Sequence, residues 1–416
     1  MIRVSGEAAA ELARRVCPGL VFEGGWRAQL VELLSAAGEP MDRAVAIPYP
    51  RPRSYTGEDM LELMVHGSSF LVDAVVEACV AAGARPAVPG EFTRRAVANG
   101  KMDLLQAEAV ADLVEAETEW QLRAARRQLE GGLSEPLGAI REDLILLKSE
   151  LEAVIDFSDQ GVILDESKWA LRHGRVVARL DQLLASASLG ERVRDGVRVM
   201  LVGAPNSGKS TLFNHLLREE RAIVSPHPGT TRDVIEAEVE VGGLKVVLVD
   251  GAGIHDGGGA IEREGVRRAR AAAAEADAVL VLWPADVATA PVQPEAGDTL
   301  LVRSKADLAD DSAGCEQEGW LPVSCVTGQG LDRLRQRLLE TVVGGRGELE
   351  GAPSIGRRHR HCLDKAAAAL TRCDWSRPEL AAEDVGLALE LLGELTGEVQ
   401  VEDVLEQIFG QFCIGK

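Results

Sequence analysis

A largely apolar segment that runs directly into a glycine-rich loop restricts the fold of this chain more than any other feature. Residues 197–202 (VRVMLV) have the character of a buried strand, and residues 203–210 (GAPNSGKS) match the pattern G-x-x-x-x-G-K-[ST]. In that pattern, backbone N–H groups surround a β-phosphate, and the following helix directs its positive end at the same group. The sequence therefore predicts a strand–loop–helix unit that binds a nucleoside phosphate.

The side chains of this phosphate loop have separate expected roles. Lys209 would contact the β- and γ-phosphates, and the Ser210 hydroxyl would ligate Mg²⁺. Asn206 places an amide oxygen where it could face a monovalent cation. The nucleotide-binding residues predicted in this loop are Asn206, Ser207, Gly208, Lys209, Ser210 and Thr211.

Two further segments match the Mg²⁺ and γ-phosphate contacts of GTPases. A predicted strand ends in DGAG, in which Asp250 would hold the water shell of Mg²⁺ and the Gly253 N–H would contact the γ-phosphate. Residues 222–233 (AIVSPHPGTTRD) stand at the first switch position, and Thr231 is the expected second Mg²⁺ ligand. Ile254, which follows DGAG, cannot orient water, so another group must do so.

Two later strands end in segments that would select guanine. Ser304, Lys305 and Asp307 belong to the first of them, the guanine loop. The carboxylate of Asp307 can accept from both N1–H and the amino group of guanine, which adenine does not present. Ser324 and Cys325 would supply supporting groups near the guanine O6. Because these segments occur in the order that GTPases use, the sequence favours GTP over ATP.

The composition excludes several classes of protein. The 416 residues carry a net charge of −21 and are 46% apolar and 27% charged, as expected for a folded chain of two to four domains. The acidic balance argues against a broad electrostatic surface for nucleic acid. No segment has the pattern of a membrane span or a secretory signal, and the seven scattered cysteines fit reduced thiols. The expected location is the cytoplasm.

The pattern of apolar residues changes three times along the chain. Residues 1–100 have an α+β pattern, 101–195 are helical, 196–345 alternate strands with helices, and 346–416 return to helix. A helical region interrupted by an α/β module indicates a domain insertion. The predicted fold class is therefore multidomain α+β and α/β, with an N-terminal α+β domain, a discontinuous helical domain and an inserted Ras-like P-loop domain.

Several motifs outside the phosphate loop point to one family. They are SYTGED at 54–59, PGEFT at 89–93, NGKMDLLQAEA at 99–109, GTTRD at 229–233 and FCIGK at 412–416. With these motifs the sequence resembles, over nearly its whole length, the MnmE (TrmE) family of potassium-activated GTPases that modify the wobble uridine of tRNA. The resemblance implies a folate-binding, dimerising domain at 1–100, a helical domain at 101–195 and 346–416, and a GTPase domain at 196–345.

The resemblance also implies residue roles in hydrolysis. A potassium ion would lie against the phosphates and take the part of an arginine finger. Its implied ligands are Asn206, Ser225, His227 and Thr230. Ser225, Thr230 and Thr231 would also contact GTP, and Glu262 matches the water-orienting glutamate, which makes it the expected catalytic residue.

For folate, the resemblance implies contacts with 5-formyl-tetrahydrofolate or a related tetrahydrofolate at Arg3, Glu62, Lys101 and Lys416. Glu62 could accept from the pterin, while the cations suit the carboxylates or formyl oxygen of the ligand. Cys413 is either a buried small side chain or a reactive thiol near the one-carbon carrier. The implied partners are a second copy of the chain, an FAD protein of the MnmG type in a heterotetramer, and tRNA.

The sequence therefore predicts a potassium-dependent GTP hydrolase that, with the flavoprotein, modifies C5 of the wobble uridine using a folate one-carbon unit. Gly251 and Ser304 stand where the family has threonine and asparagine. The second change removes an amide that connects the guanine loop to the phosphate loop, so weaker nucleotide binding is expected. Two alternatives stay open: a folate-binding structural protein with a decayed GTPase, and a ribosome-assembly GTPase of the Era or Der type.

Overall fold

The computed structural model describes residues 1–157, 166–219, 221–222, 235–250, 276–287, 298–308, 319–344, 354–399, 402–410, 412 and 415. The chain divides into two compact units. Unit 1 consists of Met1–Ala111, Leu129–Arg172 and Ala368–Lys416, and unit 2 consists of Asp112–Gln128 and His173–Ala367.

The strands and helices follow the pattern expected from the sequence. The strands are β1 (Ile2–Ser5), β2 (Gln29–Leu34), β3 (Pro40–Tyr49), β4 (Met60–Met64), β5 (Val197–Gly203), β6 (Arg221–Ala222), β7 (Ile235–Val241), β8 (Leu244–Asp250), β9 (Ala278–Pro284), β10 (Asp298–Ser304) and β11 (Leu321–Val323). The helices are α1 (Ala9–Val16), α2 (Ser69–Ala81), α3 (Glu91–Ala98), α4 (Leu104–Glu115), α5 (Glu119–Leu129), α6 (Ser134–Asp156), α7 (Glu166–Asp195), α8 (Lys209–Glu219), α9 (Leu331–Val343), α10 (Arg357–Thr371), α11 (Pro378–Thr396) and α12 (Glu402–Gly410).

The N-terminal part of unit 1 is an antiparallel sheet in the order β1-β4-β3-β2. Along β2, the buried Val31 and Leu33 alternate with the exposed Leu30 and Glu32, because successive side chains of a strand point to opposite faces. The buried face packs against apolar residues of α1 and α2. This arrangement confirms the α+β pattern predicted for the first part of the chain.

Helices form the remainder of unit 1. Five apolar residues of α6 recur at intervals of three or four and are all buried, and α6 packs against the buried side of α11. These residues of α6 are Leu137, Ile140, Leu144, Leu147 and Leu151. Near the C-terminus, α12 packs against α4 through an apolar cluster that includes Leu104, Val110 and Phe409. Among the described residues, no helix combines the length and the apolar composition needed to cross a membrane.

Unit 2 contains a seven-stranded sheet in the order β11-β10-β9-β5-β8-β7-β6. The strands from β11 to β8 are parallel to their neighbours, whereas β7 pairs antiparallel with both β8 and β6. The central strands are almost wholly buried, as is usual for a parallel sheet covered by helices. The predicted fold class, with an inserted Ras-like P-loop domain, is confirmed.

One helix from the region predicted to be helical contributes to the core of this sheet. Trp120 and Ala124 of α5 are buried with Val199, Leu248 and Val302 of the central strands. The compact unit that contains the sheet therefore includes residues before α7 as well as the inserted segment. The domain boundaries given above stay predictions.

A row of ion pairs holds the loop before β4 against α3. Arg95 donates to Glu58 (3.0 Å) and to Glu91 (2.9 Å), and Arg85 donates to Glu91 at 2.5 Å. Glu58 in turn accepts from the Ser5 hydroxyl of β1 at 2.9 Å. Burial by itself would raise the pKa of Glu91. Hydrogen bonds from Arg85, the Val88 N–H and Arg95 outweigh that effect and lower the pKa from 4.5 to about 2.

The low pKa of Glu91 predicts an acid-dependent contribution to stability. Because its pKa is depressed on folding, Glu91 stabilises the folded chain fully above about pH 4.5 and loses that contribution as the pH falls towards 2. We expect Glu91→Gln to lower the melting temperature at pH 7 and to have a much smaller effect near pH 2.5, as measured by circular dichroism. Glu11→Gln is the matched control, because Glu11 forms a largely exposed pair with Arg15. A constant difference between wild type and Glu91→Gln across this pH range would contradict the assignment.

Candidate functional site

The phosphate loop has the geometry predicted from its sequence. Strand β5 ends at Gly203 and α8 begins at Lys209, so the loop joins a central strand to a helix N-terminus. Gly208 has a φ of +92°, which favours glycine, and a Cβ on Gly203 would lie 2.6 Å from the carbonyl oxygen of Leu282. Asn206 is exposed and has a φ of +60°, a region that asparagine tolerates better than most residues.

Lys209 lies inside the phosphate loop. Its Nζ donates to the carbonyl oxygens of Gly203 (2.8 Å) and Ala204 (3.0 Å). Burial lowers the pKa of Lys209, and the nearby Asp250 carboxylate opposes that shift. An ammonium group held at this point can exchange the two carbonyl oxygens for phosphate oxygens without leaving the loop.

Asp250 lies at the end of β8, beside β5. It pairs in register with Leu201, two residues before the phosphate loop. Its Oδ1 is buried and has no hydrogen-bond partner among the described residues. A buried carboxylate oxygen of this kind needs a hydrogen-bond donor or a cation to offset its desolvation. Together with the hydroxyl-bearing Ser210 at the start of α8, the donor set suits the hydrated Mg²⁺ of a nucleotide site.

The guanine loop is connected directly to the phosphate loop. Ser304 is buried, and its hydroxyl donates to the carbonyl oxygen of Ser207 at 2.6 Å. Replacement of the family's asparagine by Ser304 was expected to remove this connection, but the shorter hydroxyl makes it with a backbone carbonyl. Lys305, which follows, has a φ of +56° and pairs with Asp286 at 3.0 Å.

Asp307 is oriented by the segment after β11. The Ser324 hydroxyl donates to Asp307 Oδ1 at 2.5 Å and accepts from the N–H groups of Val326 and Thr327, each at 3.2 Å. This hydrogen bond fixes the orientation of the Asp307 carboxylate. Cys325, next in the chain, is half-buried. The structure thus brings together the predicted residues of the phosphate loop, Asp250, the guanine loop and the Ser324–Cys325 segment.

Other predicted site residues lie outside the described part of the chain, so the structure does not place them. They are Ser225, His227, Thr230, Thr231, Gly253, Glu262, Cys413 and Lys416.

A second cluster of predicted residues lies in unit 1. Arg3 of β1 and Glu62 of β4 are directly paired across the two strands. The Arg3 Nε and Nη2 atoms donate to Glu62 Oε1 at 2.9 and 2.7 Å, and Arg3 Nη1 donates to the carbonyl oxygen of Gly415 at 3.2 Å. Lys101 lies beside the loop before β4, where its Nζ donates to the carbonyl oxygen of Pro52 at 3.1 Å.

Aromatic residues that were not predicted to belong to this site surround the pair. The Tyr49 hydroxyl donates to Glu62 Oε2 at 3.1 Å, and the Arg3 guanidinium lies over the rings of Tyr55 and Phe92. Burial, and after it the Glu62 carboxylate, raises the pKa of Tyr49. Tyr49 and Tyr55 are the two tyrosines of the whole chain. Tyrosine is rare in this chain and both tyrosines lie in or near the SYTGED motif, so they could have been identified from the sequence as candidate site residues.

Comparisons with known proteins match nearly the whole of this chain. A family model described as the MnmE helical domain matches residues 104–413, and one described as the GTP-binding protein TrmE N-terminus matches residues 1–101. The tRNA modification GTPase MnmE of Alkalilimnicola ehrlichii is 41% identical over the whole of this chain and 96% of its own length. The protein of the same name from Methylobacterium radiotolerans is 43% identical, with the same coverage.

Two solved structures each cover about a third of the chain. A crystal structure of an Era variant from Aquifex aeolicus, bound to GDP and AlF4−, is 25% identical and covers 36% of this chain and 58% of its own, with a TM-score of 0.30. The G domain of FeoB from T. maritima is 25% identical and covers 35% of this chain and 98% of its own, with a TM-score of 0.27.

The two family models and the full-length relatives confirm the resemblance inferred from the motifs. Together they cover the N-terminal sheet and the phosphate-loop domain. The chain belongs to the MnmE family of tRNA modification GTPases.

Proposed function

We propose that this chain hydrolyses GTP and, together with an FAD protein of the MnmG type, uses a folate one-carbon unit to modify C5 of the wobble uridine in tRNA. The main support for GTP hydrolysis is the direct hydrogen bond between the guanine loop and the phosphate loop. Ser304 joins the guanine loop to the phosphate loop, and Ser324 orients Asp307. A site that holds the Asp307 carboxylate close to a phosphate loop favours binding of a guanine nucleotide over binding of other phosphate compounds.

In this proposal the residues of the site divide the work of phosphoryl transfer. Lys209 holds the β- and γ-phosphates, while Ser210, Asp250 and Thr231 hold Mg²⁺ and its water shell. Asn206, with Ser225, His227 and Thr230, holds potassium. When bound, the two cations would neutralise the charge that develops between the β- and γ-phosphates. Glu262 orients the attacking water, a role that Ile254 cannot fill.

The folate part of the proposal rests on the Arg3–Glu62 pair. Glu62 accepts two hydrogen bonds from Arg3 and one from Tyr49, and a carboxylate has about four lone-pair positions, so it can accept one more donor. That capacity suits an amino or ring N–H group of a pterin. Lys101 and Lys416 are the proposed partners of the ligand's anionic groups, and Cys413 the nearby thiol.

The family relationship supports the remaining parts of the proposal. The curated relatives are named for tRNA modification, and we extend that substrate to this chain. We further propose a homodimer and a heterotetramer with the flavoprotein. Because the chain itself carries a net charge of −21, we expect the basic surface needed for tRNA to come largely from that partner.

Potassium dependence is tested through Asn206. We expect GTP hydrolysis by the unmutated protein to be at least about tenfold faster in K⁺ than in Na⁺, because a cation in the place of an arginine finger contributes strongly to the rate. Asn206→Ala should remove that difference and change the Kd for GDP by less than about twofold, since Asn206 would act mainly on the transition state. Equal rates of the unmutated protein in the two salts would contradict the proposal.

The hydrogen bond from Ser304 to the phosphate loop is expected to affect the affinity for nucleotide but not the preference for guanine. Removing its hydroxyl leaves the buried Ser207 carbonyl without its partner. We therefore expect Ser304→Ala to weaken binding of both GTP and GDP by about three- to tenfold, as measured by calorimetry, without changing base preference. Asp307→Asn should instead favour xanthine over guanine nucleotides, because it replaces an acceptor with a donor. ATP binding as tight as GTP binding in the unmutated protein would overturn the assignment of the guanine loop.

The folate site is tested at Glu62. Glu62→Gln keeps the size of the side chain but removes the charge that pairs with Arg3 and would accept from the pterin. We expect this change to weaken binding of 5-formyl-tetrahydrofolate by about tenfold or more, measured by fluorescence titration. Glu32→Gln, on the exposed side of β2 in the same sheet, is the matched control and should bind normally. Normal binding by Glu62→Gln would exclude Glu62 as a ligand.

A further inference from the structure

A single β-hairpin carries the two segments expected to respond to the γ-phosphate. Strands β7 and β8 pair from Ile235 opposite Asp250 at one end to Val241 opposite Leu244 at the other. In the chain, the segment that contains Thr231 leads into β7, and the DGAG sequence begins with the last residue of β8. The position of this hairpin along β5 therefore determines where the first segment ends and where the second begins.

The closed end of the hairpin, the Gly242–Gly243 turn, contacts α5. Trp120 donates to both turn carbonyls, from its indole Nε1 to Gly242 at 3.2 Å and from its backbone N–H to Gly243 at 3.4 Å. A Cβ on Gly243 would lie 2.9 Å from the indole ring, and one on Gly242 would lie 2.5 Å from Leu339. At Gly243 the rigid indole leaves no space for a side chain, and the positive φ values of +86° at Gly243 and +59° at Gly242 favour glycine at both turn positions.

Ion pairs also hold the closed end of the β7–β8 hairpin. Lys245, the second residue of β8, pairs with Glu117 at 2.8 Å and with Glu238 of β7 at 2.9 Å. Glu117 lies just before α5, so the residues around the start of that helix hold the turn through two separate contacts. All of these residues belong to unit 2.

The same segment also holds the beginning of β5. Gln121 of α5 donates to the carbonyl oxygen of Arg194, just before β5, at 2.9 Å. Gly196 lies against Lys245, since a Cβ there would be 2.9 Å from its side chain. Helix α5 is therefore connected to both neighbouring strands of the nucleotide site: β5, which leads to the phosphate loop, and β8, which leads to Asp250.

We propose that Trp120 and Glu117 are positioning residues for GTP hydrolysis, because they fix the register of the β7–β8 hairpin against β5 and thereby the place of Asp250. The inference rests on the proposed GTPase function and adds residues that touch neither nucleotide nor cation. A strand advances about 3.3 Å per residue, so even a small sliding of β8 would carry Asp250 away from the Mg²⁺ that Ser210 helps to hold. A one-residue slip would also turn its side chain to the opposite face of the sheet.

The test uses two conservative variants with a matched control. Trp120→Phe keeps an aromatic ring in the core but removes the indole donor to Gly242, and Glu117→Gln keeps the shape but removes the charge opposite Lys245. The control is Glu119→Gln on the same helix, because Glu119 is largely exposed and pairs with Arg123. Each variant is measured in the full chain for kcat, GDP affinity, Mg²⁺ dependence of hydrolysis, melting temperature and amide hydrogen exchange.

We expect both variants to need about fivefold more Mg²⁺ for half-maximal hydrolysis and to have a lower kcat. A change of this size in Mg²⁺ requirement is typical of residues that act through other residues. Their Kd for GDP without Mg²⁺ should stay within about twofold of wild type, because the phosphate and guanine loops are unchanged. Amides of residues 241–250 should exchange faster, and Glu119→Gln should match wild type in every measurement. These readouts separate positioning from a general loss of stability.

The outcomes distinguish this inference from the proposed function. A lower melting temperature with wild-type Mg²⁺ dependence and kcat in both variants would show that Trp120 and Glu117 only stabilise the fold, and would overturn the inference alone. A rise in the Kd for GDP equal to the change in Mg²⁺ dependence would overturn it as well. Failure of the unmutated protein to bind and hydrolyse GTP would instead overturn the proposed function and, with it, this inference.

Discussion

Parallel pairing around β5 is the constraint on which the nucleotide site depends. Neighbouring parallel strands end at the same edge of a sheet, so residues that are far apart in the sequence lie close together there. Nothing in the sequence next to each residue indicates this proximity. The phosphate loop after β5, Asp250 at the end of β8 and Ser304 at the end of β10 share that edge. A change that disturbed the order of the strands would separate all three at once, whereas a change in one loop would affect only its own contact.

At that edge, short polar side chains make the connections that the site needs. Ser304 reaches a backbone carbonyl of the phosphate loop, and Ser324 reaches the carboxylate of Asp307. Both serines are buried, so each hydrogen bond lies where water competes little and an unpaired group would be costly. The serine at position 304 therefore retains the connection between the loops in a different chemical form, through a hydroxyl and a main-chain carbonyl.

The N-terminal site depends on antiparallel pairing in the same way. Arg3 and Glu62 are 59 positions apart and become direct neighbours because β1 and β4 pair in that register. Tyr49 on β3 completes the pair from the next strand. The Glu62 carboxylate is thus paired with Arg3, whose guanidinium also lies over two aromatic rings. A ligand at this point would meet a preformed, rigid group of donors and acceptors instead of flexible surface charges.

The sequence by itself determined the elements whose signals are local. The phosphate loop lies within eight consecutive residues, and the buried face of α6 follows from helical spacing. Asp307, which is predicted to recognise guanine, belongs to a short segment after a strand. Only the tertiary structure decided that Trp120 belongs to the core of the sheet, that Tyr49 joins Arg3 and Glu62, and that the Ser304 hydroxyl reaches Ser207. The physical reason is that these contacts join residues far apart in the chain, with partners fixed by strand register and packing and not by any pattern in the neighbouring residues.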